Sequence, residues 1–121
     1  MASIDTQRST ELLLQDAVPT LGARARDEVR RLVSIYADLA EDWILNGDSV
    51  AEAQRSFDRS LVDGLQQTAH DLFWDTTWPM CPRHRRHPLW YDVERDAWCC
   101  EQDRVVVAPL GRLAEFASPA S

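Results

Sequence analysis

The chain has no lysine at all; every one of its 13 basic residues is arginine. Arginine-only usage of this kind follows codon bias in a GC-rich genome and says little about recognition chemistry. Glycine is also scarce, with 4 in 121 residues. That leaves no glycine-rich loop to cradle a phosphate. Cysteine is limited to 3 residues, too few for the disulfide framework of a small secreted domain. No apolar run approaches the roughly 20 residues that cross a bilayer, and Met1 to Thr10 is polar, without the apolar centre of a secretory leader. These absences lead to the expectation of a cytoplasmic protein without membrane association, whose thiols are reduced and free to bind metal.

Charge is distributed unevenly. Residues 1–75 hold seven Arg against fourteen acids, the whole of the net −7, whereas residues 76–121 hold six of each. A chain that binds nucleic acid along its length should be basic. The first part therefore argues against phosphate contact, and only Arg83, Arg85 and Arg86 form a local basic cluster.

Periodicity divides the chain into three segments: an N-terminal arm over 1–22, an acidic helical hairpin over 23–75, and a small β module with a short tail over 76–121. In the arm, the apolar run from Glu11 to Val18 ends at Pro19; its periodicity fits a short helix or a strand, and a helix is the expectation. From Ala23 to Leu45, Val29, Leu32, Val33, Tyr36, Leu39, Ala40, Trp43 and Ile44 recur at helical steps, and Gly47 suits the stop. Ser49 and Glu52 have capping-box spacing for the next helix, whose stripe is Ala53, Phe57, Leu61, Leu65, Thr68 or Ala69, and Leu72. Gly64 within it suggests close backbone approach. A short connection makes these two helices antiparallel neighbours, with flanks that the N-terminal apolar run, the C-terminal module or a second copy of the chain must cover; a protein partner or self-association through this hairpin is the expected contact.

After Phe73 the character changes. Four of the five Trp (Trp74, Trp78, Trp90, Trp98) fall within 25 residues, and short strands are expected over Leu89 to Val93, Ala97 to Cys100 and Arg104 to Ala108. The expected class is α+β, a helical hairpin followed by a zinc-ribbon-like β-hairpin.

Cys81-x-x-His84 and Cys100-x-x-Asp103 form two ligand pairs with fifteen residues between His84 and Cys100, the spacing of a zinc ribbon. Such a ribbon is held by metal instead of a large core. The fourth ligand has two candidates. Asp103 completes the spacing; His87 supplies the better chemistry, because two thiolates and two neutral imidazoles balance Zn²⁺ while a carboxylate adds a net negative charge. The expected structural zinc set is Cys81, His84, His87 and Cys100, with Asp103 as the alternative to His87. Cys99 and Cys100 are adjacent and face opposite sides of a strand; Cys100 shares its side with Trp98, and Cys99 is assigned to the core.

Cys-Pro-x-His, then His-Pro-Leu and Trp-x-Cys, over about residues 78–111, resembles the zinc-ribbon-like segment of short, largely uncharacterised proteins of high-GC bacteria. The resemblance implies a metal-stabilised small module and no activity. Cys99, Cys100 and Glu101 depart from the Cys-Pro of such second turns.

The functional expectation is a non-catalytic interaction module of adaptor or regulatory type. A nucleic-acid-binding alternative uses Arg83, Arg85 and Arg86 with Trp78 and Trp90 as stacking platforms. A remote alternative is a zinc-dependent hydrolase with Glu101 or Asp103 as base; His-Glu-x-x-His and the deaminase signature are both absent.

Overall fold

The computed structural model describes residues 4–71, 78–84 and 87–116. The fold is α+β. Helices α1 (Gln7–Leu21), α2 (Arg24–Leu45) and α3 (Val50–Asp71) precede strands β1 (Trp90–Asp92), β2 (Ala97–Cys100) and β3 (Val105–Pro109), and a short helix α4 (Leu113–Phe116) follows. The strands form one antiparallel sheet in the order β1-β2-β3, and the β2–β3 register shifts between Trp98 and Cys99, where Val107 of β3 is left as the extra residue. No helix among the described residues is long and apolar enough to cross a membrane.

The helix signals act where their chemistry places them. Ser49 Oγ accepts from the Glu52 N–H at 3.1 Å while Glu52 Oε1 accepts from the Ser49 N–H at 3.0 Å, the reciprocal box that satisfies two orphan donors. Gly47 takes φ 118 after α2. A Cβ on Gly64 would lie 3.1 Å from Leu32 Cδ2, so glycine lets α3 approach α2 closely there. Ala25, Val29, Leu32 and Ala40 of α2 are buried, but Leu39 is on the exposed side. On α3 the buried stripe gains Val62 and Asp58; Leu72, expected to extend it, lies outside the described residues.

The N-terminal helix is longer than the sequence suggests. It passes through Pro19 and ends at Gly22, whose N–H donates to the Val18 carbonyl at 2.9 Å with φ at 80°. Pro19 stands in the last turn, where the missing backbone donor costs one hydrogen bond and leaves the preceding turns intact.

A single buried cluster joins Leu13 and Ala17 of α1, Phe57 and Leu65 of α3, and Trp78, Tyr91, Trp98, Cys100 and Ala108 of the C-terminal part. The expectation that the β module relies on metal in place of a core needs correction. Trp98 is fully buried and meets Trp78 edge-on at 5.5 Å, against the same apolar residues that the helices bury. The sheet borrows the helices' core, so it need not supply one of its own.

Asp16 anchors that junction. Its Oδ2 accepts from Trp98 Nε1 and from the Gly111 N–H, both at 2.7 Å, and its Oδ1 accepts from the Leu113 N–H at 2.9 Å. One carboxylate of α1 thus holds β2, the turn after β3 and the start of α4. Burial pushes the Asp16 carboxyl up, against the pull of these donors. Nearby, Asp58 of α3 accepts from Ser9 Oγ of α1 and from Gln54 Nε2 at 3.0 Å.

Replacing Asp16 by Asn keeps the shape but turns one acceptor into a donor facing an N–H group. The expected loss is about 1–3 kcal/mol of unfolding free energy, read by denaturant titration. A variant as stable as the wild type would show that the three donors do not depend on the carboxylate.

Candidate metal centre

The first ligand turn is closed by backbone. The Cys81 N–H donates to the His87 carbonyl at 3.0 Å and the Leu89 N–H to the Pro79 carbonyl at 2.8 Å, with Met80 bridged to Pro88. The Trp78–Pro79 peptide is cis. Two helices hold the base of this turn. Gln66 Nε2 of α3 donates to the Leu89 carbonyl at 2.7 Å and the Trp78 carbonyl at 3.3 Å, and Trp78 Nε1 donates to Thr20 Oγ1 of α1 at 2.8 Å. The second turn follows β2, where the Asp103 N–H points at Cys100 Sγ at 3.4 Å. An N–H directed at sulfur stabilises a thiolate.

These turns bring one ligand atom each from Cys81, His84, His87 and Cys100 to within 4.8 Å of one another. A filled tetrahedral site with bonds of about 2.0–2.3 Å has ligand atoms about 3.3–3.8 Å apart. Closing around an ion therefore needs the widest pair to draw together by at most about 1–1.5 Å. Both thiols are fully buried and the two imidazoles, 5.1 Å apart between ring centres, are half-buried. The sulfurs of the group belong to the buried core, and its two imidazoles lie only partly exposed at the edge of it.

The imidazole hydrogen bonds select the ligand nitrogens. His87 Nδ1 lies 3.0 Å from the Pro88 carbonyl, which can only accept, so Nδ1 carries the proton and Nε2 keeps its lone pair. His87 Nε2 is buried and, among the described residues, is the one buried side-chain polar atom without a hydrogen-bond partner. A buried acceptor of this kind is costly unless something binds it. A cation between the four residues would do so. His84 Nε2 is 3.0 Å from Asp103 Oδ2, which leaves its Nδ1 as the free nitrogen.

Asp103 therefore lies behind a ligand, outside the four-residue group. Its Oδ2 also accepts from Arg83 Nε at 2.7 Å, and the Arg83 guanidinium, helped by His84, holds the Asp103 carboxyl below the usual carboxylate range. The C-x-x-D spacing that made Asp103 a candidate ligand gives it this bracing position.

Of the expected surface residues, Trp78 is a correction: it is 5% exposed, its ring against Trp98 and its N–H committed to Thr20. It offers no face for stacking. Trp90 is 42% exposed. Arg83 is paired with Asp103, and Arg85 and Arg86 lie outside the described residues. Cys99 is buried yet outside the core cluster, on the opposite side of the sheet from Cys100, where burial pushes its thiol up. Gln66, Thr20 and Asp16 position the site without any motif in the sequence to announce them.

No known protein family, curated protein or solved structure matches this chain. The centre is read from its own chemistry.

Asp103→Ala should leave the metal stoichiometry unchanged and weaken affinity by about 10–100-fold, since it removes the partner that orients His84. Competition against a chromogenic chelator measures this. Loss of stoichiometry itself would make Asp103 a ligand.

Proposed function

We propose that the chain is a non-catalytic protein-interaction module of adaptor or regulatory type, stabilised by one structural Zn²⁺ held by Cys81, His84, His87 and Cys100. The observation that carries this reading is the unpartnered, buried Nε2 of His87 facing two thiols and a second imidazole within 4.8 Å. Two thiolates and two neutral imidazoles form a neutral site with Zn²⁺, and mixed sulfur and nitrogen donors favour zinc over the oxygen-seeking cations. The turns carrying them make the C-terminal part a zinc-ribbon-like unit, and α2 with α3 the helical hairpin against which it is braced.

Four protein ligands leave no coordination position for water, which supports a structural over a hydrolytic ion. Asp103, the candidate base, is occupied by Arg83 and His84. Nucleic-acid binding loses support with Trp78 in the core. Exposed apolar side chains on helix and sheet, Ile35, Leu39, Trp90 and Val106 among them, favour a protein partner. Reduced thiols at the site suit a cytoplasmic setting.

Purified protein should carry close to one zinc per chain, and Cys81→Ser, Cys100→Ser and His87→Ala should each lose it. Chelation should alter tryptophan fluorescence, because Trp98 and Trp78 share the core cluster with both thiols. Metal-free protein whose fluorescence ignores chelator would overturn the reading.

A further inference from the structure

The sheet has two faces, and the core uses one of them. Tyr91, Trp98, Cys100 and Ala108 belong to the cluster shared with the helices. The other face carries a cross-strand row, Trp90 opposite Cys99 and Cys99 opposite Val106. Residues directly opposite each other on neighbouring strands project to the same side. Trp90 is 42% and Val106 48% exposed, while Cys99 between them is 1% exposed. A groove lies at the Trp90–Cys99 end of this row, with the charged side chains of Asp92, Glu101, Arg95 and Arg104 forming its rim.

The geometry points to this outer face as the contact between two copies of the chain, packed sheet face on sheet face about a two-fold axis. It rests on the interaction reading above, names the partner, and is independent of which ion fills the metal centre.

Charge identifies the occupant. In a two-fold contact the same patch meets itself, so each charge must find its opposite within the patch. The rim supplies two carboxylates and two guanidinium groups; Asp92, 17% exposed and accepting from the Glu94 N–H, stays with its own strand end, and Glu101 of one copy is the carboxylate that can face Arg95 or Arg104 of the other. Arg95 is 61% exposed even while 3.8 Å from Asp92, so its guanidinium remains accessible to an incoming carboxylate. A nucleic acid would meet both carboxylates, and a strongly basic or acidic protein would be repelled by half of the rim.

The wider charge distribution agrees. All of the net −7 lies in residues 1–75, whose buried residues pack on the inner side of the sheet. Joining two copies through the outer face keeps the acidic helices apart, whereas joining them through α2 would bring like charges together. The exposed indole of Trp90 supplies an anchor of the kind that dominates interface energies.

Sedimentation velocity on the full zinc-loaded chain, over roughly a hundredfold range of concentration, tests this. A monomer–dimer equilibrium is expected. Val106→Asp and Trp90→Asp should each raise the midpoint concentration at least about tenfold, and Leu39→Asp on the exposed side of α2 should leave it unchanged. Far-UV spectra and zinc content of the same samples establish that each variant is folded, and Val106→Asp, at an exposed position, stands alone if Trp90→Asp is not. A chain that stays monomeric throughout, association that survives Val106→Asp, or association that only Leu39→Asp removes would overturn the proposal. Zinc retained in a strictly monomeric chain would sink this contact and leave the metal reading standing.

Discussion

The buried His87 Nε2, without a hydrogen-bond partner on a residue gathered with two thiols and a second imidazole, is the constraint around which the C-terminal part is arranged. Leaving such an atom unsatisfied costs about 1–3 kcal/mol. The fold nevertheless fixes its orientation, through the Nδ1 contact to Pro88 and the backbone bridge that closes residues 79–89. Coordination of a metal ion there would turn that cost into a bond. The same logic extends outward, since Asp103 braces His84, and Arg83 braces Asp103.

A metal held by this group would act on residues that apolar burial already fixes. Cys81 and Cys100 belong to the buried cluster that includes Leu13, Phe57 and Trp98, so an ion binding the sulfurs would be felt by α1 and α3. Gln66 of α3 holds the Trp78 and Leu89 carbonyls on either side of the first ligand turn, and Asp16 of α1 holds the Trp98 indole and the Gly111 N–H on either side of the second. Each is a polar group whose burial is tolerated because its hydrogen bonds are made.

Much of this was legible in the sequence. The helices of the 23–75 segment carry long 3.6-residue patterns and explicit end signals at Gly47 and Ser49, and local physics of that strength survives tertiary context. Donor chemistry favours His87 and spacing favours Asp103 as the fourth candidate; in the structure His87 gathers with Cys81, His84 and Cys100, and Asp103 lies against His84. What escaped was information held between segments. The reach of α1 beyond Pro19, the burial of Trp78 and the isolation of Cys99 from the core all depend on which element packs where. Asp16 and Gln66 look like ordinary helix-surface residues until the sheet is laid against them. The sheet's dependence on the helices' core was missed for the same reason.

The most direct test of the account is zinc-edge X-ray absorption on the purified protein. Two sulfurs at about 2.3 Å and two imidazole nitrogens at about 2.0–2.1 Å are expected, with no oxygen in the first shell. A shell containing a carboxylate or water oxygen, a single sulfur, or no zinc to observe would contradict it.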